Sequence, residues 1–295
     1  MGKLFLGIDI GGTTAKYSLI SPDGRITGRG SFDTYQIKSK TEFLSRLYGV
    51  VDGVLDRELA GIGICTLGIV QPGTCEILGG VENLPFLQSL NLRDELGKRY
   101  DGLLIRVIND VKAIALAEQW MGAAKGVRNF FCVALGTGLG GAIVLDSRLV
   151  EGAHYRAGEI GYLDYNEQGE GDYIEKRLST QYVMAKAGKE LGLQGLDGFG
   201  FFDLVRQEVA SALDVLDEWV RGLSRLIANI IIVLDLEKVI IGGGISGERD
   251  ILIPRIREEV ERMLPPQFRG QTVIDTAKFS NDAGMLGAVS LLIRE

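Results

Sequence analysis

A strand that ends in a glycine- and threonine-rich turn, returns as a second strand and then closes on a polar turn occurs twice in this chain. The first copy has a strand at residues 4–10, the turn Gly11-Gly12-Thr13-Thr14, a strand at 15–20 and the turn Ser21-Pro22-Asp23-Gly24. The second has a strand at 129–135, the turn Gly136-Thr137-Gly138-Leu139-Gly140-Gly141, a strand at 142–145 and the turn Asp146-Ser147-Arg148. Two copies of one strand hairpin point to two lobes of a shared ancestral design. Further strands at 25–32, 62–66, 103–108 and 239–241, with helical spacing at 43–55, 111–121, 203–234 and 283–293, fill the intervals. Strands alternating with helices argue for α/β layers.

Composition narrows the class. The 295 residues exceed one typical domain and suffice for a large core. The net charge of -7, with no basic run, speaks against a nucleic-acid surface. Three cysteines, Cys65, Cys75 and Cys132, form no C-x-x-C and fit a reducing compartment. The first residues run straight into strand pattern, without the basic and apolar regions of a signal peptide. No apolar run reaches the roughly 20 residues that a membrane span needs. A cytoplasmic protein is expected.

The 41 glycines fall in clusters, which mark tight turns or close backbone approach to a ligand. A strand ending in glycines lets consecutive N–H groups converge on an anion. Asp9, Gly11, Gly12, Thr13, Thr14 and Lys16 form one such candidate; Gly136, Thr137 and Gly138 form a second; Gly242, Gly243 and Gly244 end a strand as a third. Each alone also suits a structural hairpin. Together they favour a nucleotide held by two turns. The second turn matches G-x-G-x-x-G but leads into a strand, not a helix, which disfavours a dinucleotide site. Asp9 ends a strand and suits a divalent cation bound through water, or else a turn cap.

With one histidine in the chain, His154, the general base is sought among carboxylates. Asp110 ends a strand beside Asn109 and opens a helix, so it is either the base or a helix cap. Glu159 stands between Gly158 and Gly161, where a ligand can come close, and its carboxylate accepts from hydroxyls. Glu175 follows in Tyr173-Ile174-Glu175, with a solvated helix charge as its alternative.

These segments resemble the ROK family of repressors, open-reading-frame proteins and sugar kinases. The resemblance rests on Asp9-x-Gly11-Gly12-Thr13, Asn109-Asp110, Gly136-Thr137-Gly138-x-Gly140-Gly141, Ala157-Gly158-Glu159-Ile160-Gly161 and Ile241-Gly242-Gly243-Gly244, spread over about residues 4 to 292. It implies an actin-like ATPase-domain (ribonuclease H-like) fold of two lobes with a cleft between them, divided as 1–108 plus 282–295 and 109–281. It implies Asp110 as the base, Asn109, Glu159 and Glu175 as sugar ligands with Tyr162 beside them, and the loop at Gly68 bordering the sugar. The turns at Gly11 and Gly136, with Gly243 and Gly244, would hold ATP, and Asp9 would hold Mg²⁺ through water. A homodimer is expected.

The chain departs from the family at one place. Where many members carry a zinc-binding His followed by a cysteine cluster, it has Tyr162 and no cysteine over 163–176. A structural zinc needs about four N or S ligands, so none is expected. Gly152 to Tyr162, Asn281-Asp282-Ala283-Gly284 and Leu78-Gly79-Gly80 look like the zinc-lacking β-glucoside kinases of the family, whereas Glu175 looks like the zinc-containing members. The polar stretch with Asn166, Glu167, Gly169, Glu170, Gly171 and Asp172 would make a loose wall that admits a group on the sugar C1. The function so implied is ATP-dependent phosphorylation of a hexose or β-glucoside hydroxyl at O6, with N-acetylmannosamine as an alternative acceptor. A non-catalytic, sugar-sensing regulator is the alternative of another class, disfavoured because the first phosphate turn begins at Asp9 and leaves no room for a DNA-binding module.

Overall fold

In the computed structural model, which describes residues 3–164 and 171–293, strand β1 (Leu4–Ile10) is apolar along nearly its whole length and almost entirely buried. That is the pattern of a strand covered on both faces. It pairs antiparallel with β2 (Thr14–Ile20), with Asp9 opposite Lys16, and β2 pairs antiparallel with β3 (Ile26–Asp33). Helix α1 (Lys40–Asp52) follows, capped by the Ser39 side chain, which accepts from the Glu42 N–H; it buries Phe43, Leu47 and Val51. Strand β4 (Leu59–Thr66) lies parallel to β1, with Cys65 beside Asp9. A small sheet of β5 (Ile69–Gln71), β6 (Glu76–Gly79) and β7 (Leu90–Asn91), then α2 (Leu92–Gly97), leads to β8 (Leu104–Asn109), parallel to β4. Helix α3 (Asp110–Met121) starts directly at its end.

The second sheet is built from β9 (Phe130–Leu135), β10 (Leu139–Leu145) and β11 (Arg148–Leu149). Then come α4 (Glu175–Leu178), α5 (Thr180–Leu191), α6 (Gly198–Arg206), α7 (Ala210–Leu234), β12 (Lys238–Gly243), α8 (Arg249–Met263) and β13 (Val273–Thr276). The last helix, α9 (Ala283–Ile293), packs on β1, β4, β8 and α3.

The sheet orders are β3-β2-β1-β4-β8 and β11-β10-β9-β12-β13. In both, the first three strands are antiparallel neighbours and the last two run parallel to the third. The repeat read in the sequence is therefore a repeat of whole-sheet topology.

Contacts group the chain into two compact units. One holds Met1–Lys125, Glu151–Arg156 and Asp282–Glu295; the other holds Gly126–Val150 and Ala157–Asn281. Helix α3 packs on α9 and so groups with the first sheet. Gly287 lies so close to the Ala113 carbonyl that a Cβ there would collide with it. In the first core Leu6, Ile8, Phe43, Leu47, Ile62 and Ile64 are fully buried. In the second, Trp219 is buried and donates its indole N–H to the Leu178 carbonyl at 2.8 Å.

Two elements differ from the sequence expectation. The single helix expected over 203–234 is two, α6 and α7, because Glu208 between them takes a left-handed φ of 58°. The strand expected at 142–145 begins already at Leu139, so Gly140 and Gly141 are strand residues and the second turn is only Gly136 to Gly138. Among the described residues the three cysteines are buried and form no disulfide, and no helix is long and apolar enough to cross a membrane.

Candidate active site

The first turn is fastened from behind. Gly11 N–H donates to the Thr14 carbonyl at 3.1 Å, the Thr34 hydroxyl donates to the Gly11 carbonyl at 2.7 Å, and Thr34 N–H donates to the Thr13 carbonyl at 2.9 Å. The carbonyls of Gly11, Thr13 and Thr14 are thus engaged with the protein. Asn83 stands against Gly12, where a Cβ would lie 3.7 Å from that of Asn83.

Asp9 sits at the end of β1, half-buried, and accepts the Cys65 thiol on Oδ1 at 3.2 Å. Burial raises its pKa above the usual carboxylate value; the Cys65 hydrogen bond and the charge of Lys16 pull it part of the way back. Burial, together with the neighbouring Asp9 carboxylate, pushes the Cys65 thiol well up, so it stays a neutral donor. Gly284 in the first turn of α9 leaves room here, since a Cβ would come within 2.6 Å of Cys65 Sγ and 3.2 Å of Asp9 Oδ2.

At the end of the parallel strand β8, Asn109 and Asp110 form the junction into α3. Asn109 Oδ1 caps the helix by accepting from Lys112 N–H at 3.1 Å. Its Nδ2 donates to the Gly68 carbonyl at 3.0 Å and to Asp110 Oδ1 at 2.9 Å. That same Asp110 oxygen accepts from Val111 N–H at 2.9 Å. The capping and functional readings of this pair are therefore compatible: Asn109 is the cap, and Asp110 Oδ1 is pinned by two donors. Thr66 at the end of β4 is the register partner of Asn109, which brings Asp9, Cys65, Asn109 and Asp110 to one end of the first sheet. Ends of parallel strands are where ligands bind in open α/β sheets.

In the second unit Glu175 is the organiser. Its Oε2 accepts from Leu139 N–H at 2.9 Å, and a Cβ on Gly138 or Gly161 would lie 2.6 Å or 3.2 Å from the same oxygen. Glu175, expected as a sugar ligand, is thus wedged between the second turn and the loop at Gly161. Gly136 N–H donates to the Gly138 carbonyl at 3.0 Å, and the Gly136 carbonyl accepts from Gln181 N–H at 3.2 Å. Gly243 is obligatory: its φ is 99°, and a Cβ would run into the Leu135 carbonyl. Gly158, with φ 95°, brings the Glu159 loop onto Gly141. Glu159 precedes the short helical turn Ile160–Tyr162, and its carbonyl accepts from Tyr162 N–H at 3.3 Å. The Tyr162 ring is 60% exposed and meets Tyr173 edge-on at 5.4 Å.

Beside the second turn lies a cavity of about 340 Å³, bounded by Leu135, Gly136, Thr137 and Gly244 and walled by Phe199, Phe202 and Ile245. Its volume falls in the range of small-ligand sites. Thr180 and Gln181 add polar groups, and Asp197 and Glu248 add carboxylates. The Thr180 hydroxyl is buried without a hydrogen-bond partner among the described residues, as a group reserved for a ligand would be.

The model of the ROK family matches residues 5–295. The chain belongs to the ROK family. A glucokinase of Thermotoga maritima is 31% identical over 316 residues, covering 99% of this chain and 98% of the relative. A β-glucoside kinase of Listeria monocytogenes is 30% identical over 300 residues, covering 97% and 96%. Among solved structures, a ROK family glucokinase from Streptomyces griseus in complex with glucose and AMPPNP superposes with a TM-score of 0.84 at 24% identity, over 98% of each chain. The fold is the actin-like ATPase fold of the family's sugar kinases, with one sheet of the repeated topology in each unit.

Several site residues were not among the sequence candidates. Cys65 and Asn83 lie in apolar or loop segments without a motif of their own. The cavity wall at Asp197 to Phe202 carried one usable signal, the glycines Gly198 and Gly200 around Phe199. The expected loose wall lies partly at 165–170, outside the described residues.

Proposed function

We propose that this ATP-dependent sugar kinase of the ROK family transfers the γ-phosphate of ATP to O6 of a hexose or β-glucoside, with Asp110 as the base. The observation that carries the reading is the Asn109–Asp110 junction. Asp110 is fixed through one carboxylate oxygen by Asn109 Nδ2 and Val111 N–H. A carboxylate held in this way is pre-oriented to take the proton of an attacking hydroxyl. Asn109, anchored on Gly68, orients the neighbouring hydroxyl.

The donor set at the first turn fits a divalent cation. Asp9 is a half-buried carboxylate that burial penalises and only a thiol and a more distant lysine relieve, so a cation held through water would offset that penalty. When bound, the cation neutralises charge on the phosphates. The chain's own contribution is positional. The glycine turns present backbone N–H groups, Glu175 fixes the second turn, and the cavity at Phe199 and Phe202 receives the nucleoside. Glu159 is the proposed acceptor for sugar hydroxyls. Zinc has no part in this reading, which rests on Tyr162 and the cysteine-free stretch 163–176.

The names of the relatives favour glucose and β-glucosides as acceptors. The exposed Tyr162 ring, turned onto Tyr173, supports a site that tolerates a substituent on C1. Incubating the protein with ATP, Mg²⁺ and glucose, cellobiose or N-acetylmannosamine, and locating the phosphate by phosphorus–proton NMR, tests the assignment. The expected products are the 6-phosphates of glucose and cellobiose. Transfer to N-acetylmannosamine alone would overturn the acceptor assignment.

A further inference from the structure

Lys112 is a buried charge that the chemistry above does not use. It sits in the first turn of α3, 4% exposed, and its ammonium group pairs with the Glu151 carboxylate and donates to the Tyr155 carbonyl at 3.0 Å. Removing an ammonium from water is expensive unless its partners replace the lost solvation. A methionine or leucine would fill this place on a helix packed against α9 at far lower desolvation cost, so the charge calls for an explanation beyond packing.

The partners explain it. Both belong to the segment Glu151–Arg156, which packs with the first unit although its sequence neighbours on either side belong to the second. The segment is a sharp turn, with φ of 77° at Gly152 and 63° at Tyr155, and Tyr155 N–H donates to the Gly152 carbonyl at 3.4 Å. A tyrosine in the left-handed region persists only where its surroundings hold it there. The carbonyl that Lys112 grips is that of Tyr155 itself. The same lysine supplies, from its backbone N–H, the donor that Asn109 Oδ1 accepts. One residue therefore holds Asn109 by its main chain and the 151–156 turn by its side chain, and the chain runs on from that turn to Gly158 and Glu159.

We propose that Lys112 is a positioning residue for sugar binding: its side chain pins the turn 151–156 to the helix that carries Asp110, while its main chain holds Asn109. The proposal rests on the sugar-kinase reading of Asn109 and Asp110, and its test separates the two.

Lys112→Met, Glu151→Gln and Lys112→Arg are compared with wild type by kinetics and by limited trypsin digestion. Arg156 is exposed at the end of the turn and provides the cleavage site. Loss of the pin should speed cleavage after Arg156 and raise the sugar KM roughly tenfold, the scale of one charge-assisted hydrogen bond, while the ATP KM stays within about twofold. Glu151→Gln should move both readouts in the same direction, Lys112→Arg should recover part of each, and adding Glu151→Gln to Lys112→Met should cost little more. Should Lys112→Met fail to fold, Glu151→Gln reads the same coupling. Unchanged cleavage, or a lowered melting temperature with sugar KM intact, would show an ion pair with no positioning role. Failure of the base assignment itself would appear elsewhere, as an active Asp110→Asn enzyme.

Discussion

The Asn109 side chain donates to the Gly68 carbonyl at 3.0 Å while its other end caps α3 at Lys112 N–H. One amide thus ties the loop after β4 to the start of the helix that carries the proposed base. Asn109→Ala should lose about 1–2 kcal/mol of stability through the missing cap. It should also raise the sugar KM, since Gly68 and Asp110 both lose a donor. Asn109→Asp, which keeps the capping acceptor, should regain stability without regaining affinity. Urea titration and sugar kinetics of both variants check this; parallel recovery of stability and KM in Asn109→Asp would refute the dual role.

Glu175 is expected to matter through the second turn. Its carboxylate accepts from Leu139 N–H and lies against Gly138 and Gly161. Glu175→Ala should lower kcat/KM for ATP about 10–100-fold, the value of a hydrogen bond to a charged group. Glu175→Gln, which can still accept, should fall less. Equal ATP kinetics in Glu175→Ala and wild type would remove the turn-holding role.

Asp9 leads to a pH prediction. Burial holds its carboxyl above the usual carboxylate range. For an acid with a raised folded-state pKa, the contribution to stability is present below the unfolded value and is lost as pH rises through the folded value. The metal-free enzyme therefore loses stability at Asp9 as it ionises, and a cation that binds only the carboxylate restores it. Mg²⁺ affinity should rise as pH climbs through the raised pKa of Asp9, and the melting-temperature gain on adding Mg²⁺ should rise with it. Asp9→Asn should remove most of both trends. A pH-independent Mg²⁺ affinity would show that the cation does not depend on Asp9.

Much of this was legible in the sequence because it is written in local pattern. The apolar run of β1, the glycine turns and the Asn109-Asp110 junction each carry their own periodicity or turn chemistry, and the chain repeats the first two. What stayed hidden depends on partners distant in sequence. Glu175 looks like a solvated helix charge until Leu139 and Gly138 are beside it. The break between α6 and α7 falls at Glu208, a residue with no special turn preference, so helical spacing runs through it unmarked. Lys112 reads as an ordinary polar position on α3, and only tertiary contact shows its side chain buried against Glu151.

Tyr100 offers a stability test away from the site. Its hydroxyl donates to Asp52 at 2.8 Å and to the Tyr48 carbonyl at 3.1 Å. Burial, then the hydrogen bond to the Asp52 carboxylate, pushes its pKa from 10.0 up to about 12. The stabilisation is complete below the unfolded value and lost as pH rises through the folded one, so it should fade between pH 10.0 and about 12. Tyr100→Phe should unfold more easily than wild type at neutral pH and show a shallower loss over that alkaline window. Identical alkaline melting curves would contradict the assignment.

The proposed base is tested most directly by the turnover of Asp110→Asn. The substitution keeps an oxygen for Asn109 Nδ2 and Val111 N–H but cannot take a proton. The account predicts an intact fold, sugar affinity near that of wild type, and a kcat for ATP-dependent sugar phosphorylation lowered about 10²–10⁴-fold. A folded Asp110→Asn enzyme that keeps more than roughly a tenth of the wild-type kcat would contradict it.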